Sequence, residues 1–255
     1  MDPWRTAIVT SDATNIWVRG YEITSLMQRS SFTDTIFLLH RGQLPSEGER
    51  RLLDAILIGV ADHGAGAPSC AAARLAASGN RQSLSAAIAA GILAIGDEHG
   101  GAGSSCMDLI AAGIAASTRD GVSIEDAAQR TVEDAVRMKT RLPGLGHRVH
   151  TTDPRTATLF DMAEAEGLAG GGIAFMRALE AEARVRIKPL PLNIDGALAA
   201  VLHDIGFPPP FGKLVFIIGR VAGLTAEVAE EYLREQPMRI KIPVTYDGVA
   251  PRPID

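Results

Sequence analysis

The chain has 255 residues, of which 46% are hydrophobic and 22% charged, enough for a sizeable core in one domain or two lobes. Twenty-five basic residues stand against thirty acidic ones, and the net charge of −5 excludes the basic surface that nucleic-acid-binding proteins need. An anionic small molecule remains a possible ligand if a few arginines share one pocket. Aromatic residues make up only 5%, and the abundance of alanine favours closely packed helices over a sheet.

The cysteines and the N-terminal residues indicate the cellular compartment of the protein. Cys70 and Cys106 form neither a CxxC spacing nor a framework of paired cysteines, so we expect two reduced thiols in helical packing. The opening Met1-Asp2-Pro3-Trp4 lacks the basic and then apolar stretches of a signal peptide. The sequence contains no apolar run that is long enough to span a bilayer. We therefore expect the protein to be cytoplasmic.

The first predicted element is an extended or hairpin-like segment between residues 7 and 21, because its apolar pairs are short and broken by polar residues. Helix signals then take over. Ser31, followed by Asp34, predicts the N-cap of a short helix that stops at Gly42.

A capping box at Ser46 and Glu49 predicts the next helix, whose apolar residues fall on one face and which should end at residues 63–64. Almost no later stretch alternates polar and apolar residues with a period of two, so the predicted fold class is all-α. The further predicted helices are 68–78, 83–95, 105–117, 124–140, 154–166, 173–187, 195–205 and 212–235.

Histidines beside glycine are the first candidates for chemistry. Glycine lets a ligand approach the backbone closely, so an imidazole at such a corner is well placed to act on it. Each histidine taken alone also fits a structural or surface role, as we expect for His40 and His203 within helical patterns. Zinc binding is not expected, since neither an HExxH motif nor a Cys/His cluster occurs. The histidines at or near glycine corners are His63, His99, His147 and His150.

Three charged residues leave alternatives open. Asp195 follows a proline-broken segment and opens a helix, so it is either an N-cap or an acid in a site. Arg155 begins another predicted helix. Arg220 lies inside an apolar helix, where it faces outward, pairs with an acid, or holds a substrate carboxylate through two hydrogen bonds.

The order of the motifs resembles the citrate synthase superfamily over nearly the whole chain. Any one motif is weak, whereas the ordered set is specific. The motifs are Val18-Arg19-Gly20-Tyr21-Glu22-Ile23, Ser30-Ser31-Phe32, Leu38-Leu39, Gly42-Gln43-Leu44-Pro45, Asp62-His63-Gly64, Glu98-His99-Gly100-Gly101-Ala102, Gly144-Leu145-Gly146-His147-Arg148-Val149, Asp153-Pro154-Arg155, Asn193-Ile194-Asp195 and Gly219-Arg220.

The resemblance implies an architecture and an assembly. It implies a large helical lobe, residues 1–110 and 206–255, a smaller helical lobe, residues 111–205, and an active site in the cleft between them. The family dimerises through helices equivalent to residues 83–95 and 105–117, which are apolar here, so we expect a homodimer or a multiple of it.

The resemblance also implies a role for each site residue. His99 would stabilise the enol or enolate of acetyl-CoA, Asp195 would exchange the proton at the acetyl carbon, and His147 would act on the keto-acid oxygen. These roles suit the chemistry, because the proton on the carbon beside a thioester is only weakly acidic. Its removal needs a correctly placed base and hydrogen-bond donors to the developing oxyanion. No metal or cofactor is implied, because the coenzyme A thioester is itself the substrate. Carboxylates would be held by His63, Arg155 and Arg220, and coenzyme A by the loop 142–150 with Leu142, Gly144, Leu145, Gly146 and Arg148.

Departures from the synthase pattern favour a narrower activity. The chain is much shorter than typical citrate synthases, mainly between Leu44-Pro45 and Asp62-His63. Ile95-Gly96-Asp97 and Asn193-Ile194-Asp195-Gly196 look more like the citryl-CoA lyase module of ATP-citrate lyase, and no ATP-binding half is present in the sequence. The expected reaction is cleavage of (3S)-citryl-CoA to acetyl-CoA and oxaloacetate. The alternatives are a citrate or 2-methylcitrate synthase, a lyase for a related acyl-CoA, and a non-catalytic helical binding protein.

Two details differ from the family. The gap from His147 to Arg155 is about one residue shorter than in many synthases. The arginine that the family donates across its dimer is replaced around Ile242. Either Arg239 or Lys241 substitutes for it, or the natural substrate carries one carboxylate fewer.

Overall fold

The structure, a computed structural model, describes residues 3–146 and 153–254. Within these ranges the chain forms eleven helices and three short strands, so the predicted helical fold class is confirmed. The elements are β1 (Val9–Ser11), β2 (Ile16–Val18), β3 (Tyr21–Glu22), α1 (Ile23–Arg29), α2 (Phe32–Arg41), α3 (Glu47–Ala61), α4 (Pro68–Gly79), α5 (Leu84–Leu93), α6 (Ala102–Asp120), α7 (Ile124–Met138), α8 (Pro154–Ala165), α9 (Gly171–Arg186), α10 (Ile194–Asp204) and α11 (Phe211–Arg234).

The N-terminal segment is extended, as predicted, and forms an antiparallel sheet in the order β1-β2-β3. Helix α1 was not predicted. It has seven residues, its N-cap Glu22 makes no side-chain hydrogen bond, and Leu26 is its one buried residue. Neither a capping motif nor an apolar face therefore marks this helix in the sequence.

Both predicted caps are present at α2 and α3. Ser31 and Ser46 each accept a hydrogen bond from the backbone of the third helical residue, and the acidic side chain there bonds back to the cap. Helix α3 ends at Ala61, two residues earlier than predicted. It stops because Asp62 is extended, with φ −147° and ψ 160°, and accepts a hydrogen bond from the Gly64 N–H.

Helix α10 lies at the centre of the main core. Eight of its eleven residues are buried, and it packs against α6, α8 and α9, so it is apolar on nearly all sides. Neighbouring helices approach closely where glycine is present. A Cβ at Gly113 of α6 would lie 2.2 Å from the Phe175 ring of α9. This packing fixes the N-terminal end of α10, where Asp195 lies.

A second cluster joins α4, α5 and α11 and contains a buried ion network. Arg74 binds Glu227 at 2.6 Å and Glu231, which is fully buried, at 3.0 Å. Arg239 also bonds Glu231, with Nε 3.0 Å from Oε1, and forms an ion pair with Glu235. Arg239, one of the two candidates to replace the arginine donated across the dimer, ties the C-terminal segment to α11 within this chain. Its role across a dimer stays a prediction. Lys241, the other candidate, is exposed.

Among the described helices, none combines the length and the apolar character that crossing a bilayer requires.

Replacing Arg74 by Met should destabilise the fold strongly, because Glu231 and Glu227 would keep buried charges after losing a partner. Breaking a buried pair in this way costs about 3–5 kcal/mol. Urea unfolding measures the loss. Arg119→Met is the control, because the Arg119 side chain is 72% exposed in its pair with Asp120 and such pairs contribute about 0–1 kcal/mol. Equal losses in the two variants would contradict the prediction.

Candidate active site

A cavity of about 470 Å³ brings together most of the predicted site residues. His147, Arg148 and His150 lie outside the described residues, so the structure says nothing of them. Of the residues expected to bind coenzyme A, Gly146 lines the cavity, whereas Leu142, Gly144 and Leu145 do not. The predicted residues that line it are His63, His99, Arg155, Asp195 and Arg220.

His99 is presented by a tight corner between α5 and α6. The backbones of Gly96 and His99 bond to each other in both directions, at 2.9 and 3.0 Å, and Gly101 also donates to the Gly96 carbonyl. Gly100 has φ +77°, and a Cβ there would lie 2.2 Å from the Phe216 ring. Only glycine fits this position, because both the dihedral angle and the close contact exclude a side chain. The Phe216 ring also meets the His99 ring edge to face, with centroids 6.1 Å apart.

The hydrogen bonds of His99 define its tautomer. Its Nε2 accepts from the backbone N–H of Ser69 at 3.2 Å and lies 2.9 Å from the Ser69 Oγ. A backbone N–H can only donate, so Nε2 carries no proton. In the neutral ring the proton is therefore on Nδ1.

Asp195 lies in the first turn of α10, but it is not the cap. The cap is Asn193, whose side chain accepts from the Gly196 N–H at 3.1 Å. The Oδ1 of Asp195 is buried and has no hydrogen-bond partner among the described residues. Burial raises the pKa of this carboxyl to about 6, although the charges of Arg155 and Arg220 oppose the shift and Asp153 adds to it. The N-cap interpretation of Asp195 is therefore wrong.

Arg155 is held by its own helix terminus. Asp153, which is 1% exposed, caps α8 and binds the guanidinium through two bonds of 2.9 Å from Nε and 2.8 Å from Nη2. The Nη1 of Arg155 donates to the carbonyl of Gly59 in α3 at 3.0 Å. The guanidinium is thus fixed in position, and Asp153 compensates much of its charge.

Arg220 is buried without such compensation. It is 2% exposed, and it donates from Nε to the Val60 carbonyl and from Nη1 to the Ser69 Oγ, both at 3.0 Å. Its guanidinium carbon lies 4.7 Å from the centre of the Phe216 ring. Within the described ranges, Arg220 forms no salt bridge with a carboxylate. Neither an outward orientation nor a pairing with an acid of the described chain fits, so this charge is available to an anionic ligand.

The glycine-rich segment before residue 147 rests on the start of α10. Asn193 donates to the carbonyls of Gly144 and Gly146, at 3.0 Å from its backbone N–H and 2.7 Å from its side chain. A Cβ on Gly144, where φ is +83°, would lie 2.7 Å from the Gly196 Cα. Close backbone approach therefore explains this glycine. Binding of coenzyme A by the segment stays a prediction.

Two residues that contact the predicted site residues were not identified from the sequence. Ser69 sits in an alanine-rich helix, directly after a proline, and nothing in its neighbourhood signals a contact with a histidine thirty residues away. Asp153 had a usable signal, because an acidic residue before Pro154 is a typical N-cap, and its pairing with Arg155 could have been inferred from that position.

Outside the cavity lining, one group of described residues has the spacing of metal ligands. Oxygen and sulfur atoms of Asp62, Cys70 and Glu227 lie within 4.8 Å of one another. The Glu227 carboxylate is engaged with Arg74 at 2.6 Å, and Cys70 hydrogen-bonds to Asp62. These contacts account for the group as a polar network, so it gives no argument for a metal.

Asp195→Asn should change the pH dependence of stability. A carboxyl with a folded pKa of about 6 binds more protons folded than unfolded, so its contribution to stability falls as the pH rises from about 4 to about 6. The Asn variant lacks this loss and should be the more stable protein at pH 7.5, by up to about 3 kcal/mol.

The stability advantage of Asp195→Asn over wild type should shrink as the pH falls toward 4.5. Urea unfolding at both pH values tests this, with Asp247→Asn in the exposed C-terminal segment as the control. A pH-independent difference between wild type and Asp195→Asn would contradict the assigned pKa.

Comparison with known proteins supplies the family. The model of the citrate synthase C-terminal domain matches residues 45–241. A citrate synthase of Deinococcus radiodurans is 28% identical over 196 residues, covering 74% of this chain and 49% of that protein. A 2-methylcitrate synthase of Shewanella oneidensis is 30% identical over 223 residues, covering 86% and 56%. The chain thus spans about half the length of the curated relatives it matches.

Solved structures agree in fold. The citryl-CoA lyase from Hydrogenobacter thermophilus superposes with a TM-score of 0.89 at 38% identity, covering 99% of this chain and 97% of that one. The ATP citrate lyase from Methanothrix soehngenii gives a TM-score of 0.77 at 18% identity, covering 97% and 42%, and this likeness concerns the fold alone. Together with the domain match over residues 45–241, these findings show that the chain belongs to the citrate synthase family.

Proposed function

We propose that this protein is a citryl-CoA lyase, which cleaves (3S)-citryl-CoA to acetyl-CoA and oxaloacetate. The observation that carries the proposal is Arg220, a buried guanidinium without a carboxylate partner among the described residues, beside a cavity that also holds His99 and Asp195. A substrate with free carboxylates supplies the missing negative charge. The similarity to the Hydrogenobacter citryl-CoA lyase, which extends over nearly the full length of both chains, supports this activity over others in the family.

The cleavage breaks the bond between the carbinol carbon and the carbon beside the thioester. A base removes the hydroxyl proton, the carbinol carbon becomes the keto carbon of oxaloacetate, and the electron pair passes into the thioester enolate. We assign the base to His147, on the family resemblance. The enolate carbon then takes a proton and becomes the methyl group of acetyl-CoA.

His99 is suited to the enolate oxygen. Its Nε2 contacts Ser69, so in the neutral ring the proton is on Nδ1, and we assign this N–H to the thioester oxygen on the family resemblance. A fixed donor aimed at a developing oxyanion is worth several kcal/mol in the transition state, because it needs no reorganisation when the charge appears.

Asp195 is suited to the carbon proton. Its pKa of about 6 places its titration near neutral pH, where a carboxyl can both release and regain a proton. Its buried Oδ1 has no partner among the described residues that would compete for the proton.

The cleft architecture is part of the proposal. Residues 1–110 and 206–255 would form the large lobe and carry His99 and Arg220, while residues 111–205 would form the small lobe and carry Asp195 and Arg155. The lobe boundary would cross α6. Closure of the lobes around the substrate would exclude water from the enolate. Coenzyme A would lie along Leu142, Gly144, Leu145, Gly146 and Arg148, and His63 would share in binding the carboxylates.

We also propose a cytoplasmic homodimer. Helix α5 leaves Leu84 and Leu93 55% and 85% exposed, and its small, uncharged residues allow a second helix to approach closely. Such a helix suits a two-fold interface.

A synthase activity is the second candidate, because the curated relatives include citrate and 2-methylcitrate synthases. The same site would then condense the two products and hydrolyse the citryl-CoA.

To decide between the two activities, the pure protein is incubated with citryl-CoA and, separately, with acetyl-CoA and oxaloacetate. A lyase releases acetyl-CoA and oxaloacetate from citryl-CoA and forms no free citrate. Release of citrate and coenzyme A identifies a synthase, and no turnover in either direction identifies a binding protein.

Asp195→Asn should fold normally and lose about 10²- to 10⁴-fold in kcat, the usual contribution of a general acid–base group. The cap at Asn193 is untouched by this change. The variant should also fail to exchange the methyl protons of acetyl-CoA with deuterated water. Asp161→Asn, an exposed change on α8, is the matched control. Near-normal turnover of a folded Asp195→Asn protein would exclude Asp195 as the acid.

A further inference from the structure

A second cavity lies next to the candidate active site. Its volume is about 530 Å³, a size that suits a small metabolite, and the proposed reaction does not use it. Three elements line it: a face of α8 that includes Phe160, a face of α9 that includes Glu180 and Arg184, and the segment 189–192. Because Phe160 and Leu192 are buried and apolar, this cavity offers an apolar surface as well as charges.

The segment 189–192 connects this cavity to the glycine-rich segment of the active site. The Gly146 N–H donates to the Pro191 carbonyl at 2.7 Å, and Leu145 lies opposite Leu192 in an antiparallel bridge. Gly146 itself lines the active-site cavity. The two cavities therefore share a wall, in which two short extended segments are hydrogen-bonded to each other.

The backbone of Leu192 is held by two residues that line the second cavity. Thr156 of α8 donates from Oγ1 to the Leu192 carbonyl at 3.2 Å. Glu180 of α9 accepts from the Leu192 N–H through Oε1 at 2.8 Å. A ligand that fixes the Glu180 carboxylate thus acts on the backbone that supports the glycine-rich segment.

Glu180 and Arg184 present opposite charges one helical turn apart on α9. An acid and a base at this spacing often pair with each other. Here they do not, because Glu180 bonds to Leu192, and in the described part of the chain Arg184 forms neither a hydrogen bond nor an ion pair. The second carboxylate oxygen of Glu180 and the guanidinium of Arg184 are therefore available to a ligand.

The other charged residues of the lining narrow the class of ligand. Asp153 is paired with Arg155, and Arg177 is paired with Glu164. Asp161, exposed on α8, adds a negative charge, which disfavours phosphates and other polyanions. A zwitterion, whose ammonium and carboxylate are a few bonds apart, complements the two adjacent charges on α9 better than an anion or a cation does.

We propose that this cavity is a regulatory site for an α-amino acid with an apolar side chain. The ammonium pairs with Glu180, the carboxylate pairs with Arg184, and the side chain packs on Phe160. The bound amino acid fixes Glu180 and Leu192, and so holds the segment 144–146 ready for coenzyme A. The regulatory effect rests on the proposed function, because it requires that this segment binds coenzyme A.

Three probes with one phenyl body separate recognition of a zwitterion from simple filling of an apolar cavity. L-Phenylalanine carries both charges, phenethylamine carries only the ammonium, and 3-phenylpropionate carries only the carboxylate. Isothermal titration calorimetry of the intact protein gives the Kd of each probe. We expect L-phenylalanine to bind about 10-fold or more tightly than either single-charge probe, the usual effect of a hydrogen bond to a charged group.

Two variants remove one charge each from the lining. Glu180→Gln keeps an oxygen that accepts from the Leu192 N–H, and Arg184→Gln removes the guanidinium. Each should weaken L-phenylalanine binding by about 10-fold or more. Arg137→Gln is the control and should bind L-phenylalanine like wild type, because Arg137 is 74% exposed on α7 and lines neither cavity.

The regulatory effect is measured as the Kd of coenzyme A with and without saturating L-phenylalanine. We expect L-phenylalanine to lower this Kd by about 5-fold or more in wild type and in Arg137→Gln, and to have little effect in Glu180→Gln. Coenzyme A should strengthen the binding of L-phenylalanine by the same factor, because coupling between two sites is reciprocal.

Each result decides a different point. Absence of binding, equal affinity for the three probes, or unchanged affinity in either lining variant overturns the amino-acid site. Binding of L-phenylalanine that leaves the Kd of coenzyme A unchanged overturns the regulation. In both cases the lyase assignment stands, because citryl-CoA cleavage is measured without the amino acid. A wild-type protein that neither binds coenzyme A nor cleaves citryl-CoA overturns the proposed function and the regulation with it.

Discussion

The buried charge of Arg220 is the constraint on which the site depends. Removing a guanidinium from water costs several kcal/mol, and neutral acceptors such as the Val60 carbonyl and the Ser69 hydroxyl recover only part of it. Helices α3, α4 and α11 must hold these acceptors at fixed positions, and Gly219 permits this because a Cβ there would lie 2.6 Å from Val60. The part of the desolvation free energy that these acceptors do not recover favours binding of an anion in the adjacent cavity.

Asp195 lines the same cavity as Arg220 and senses its charge. Burial alone favours the neutral acid, and two arginines nearby favour the carboxylate. Asp153 shifts the balance, because it compensates Arg155 at 2.8 Å and adds a like charge of its own. The resulting pKa of about 6 therefore comes from the pairing of Arg155 with Asp153 as well as from the burial of Asp195.

Local signals predicted the helices well because they depend on neighbours in sequence. The caps of α2 and α3 were readable from Ser31 and Ser46, whereas α1, which has no such cap, was not. The site required contacts across the chain. Asp195 looked like a cap, and only the position of Asn193 excludes that role; Ser69 is recognisable only once α4 is placed beside His99. Residue order identified the family, but the tertiary contacts define what each side chain meets.

The candidate site is supported by backbone contacts that lie within the region matched by the family model. Gly144 and Gly196 illustrate this, since a Cβ on Gly196 would meet the Gly144 carbonyl at 2.5 Å. That approach lets Asn193 bond to both carbonyls of the glycine segment while it caps α10. One asparagine thereby aligns Gly146 and Asp195 on the same cavity.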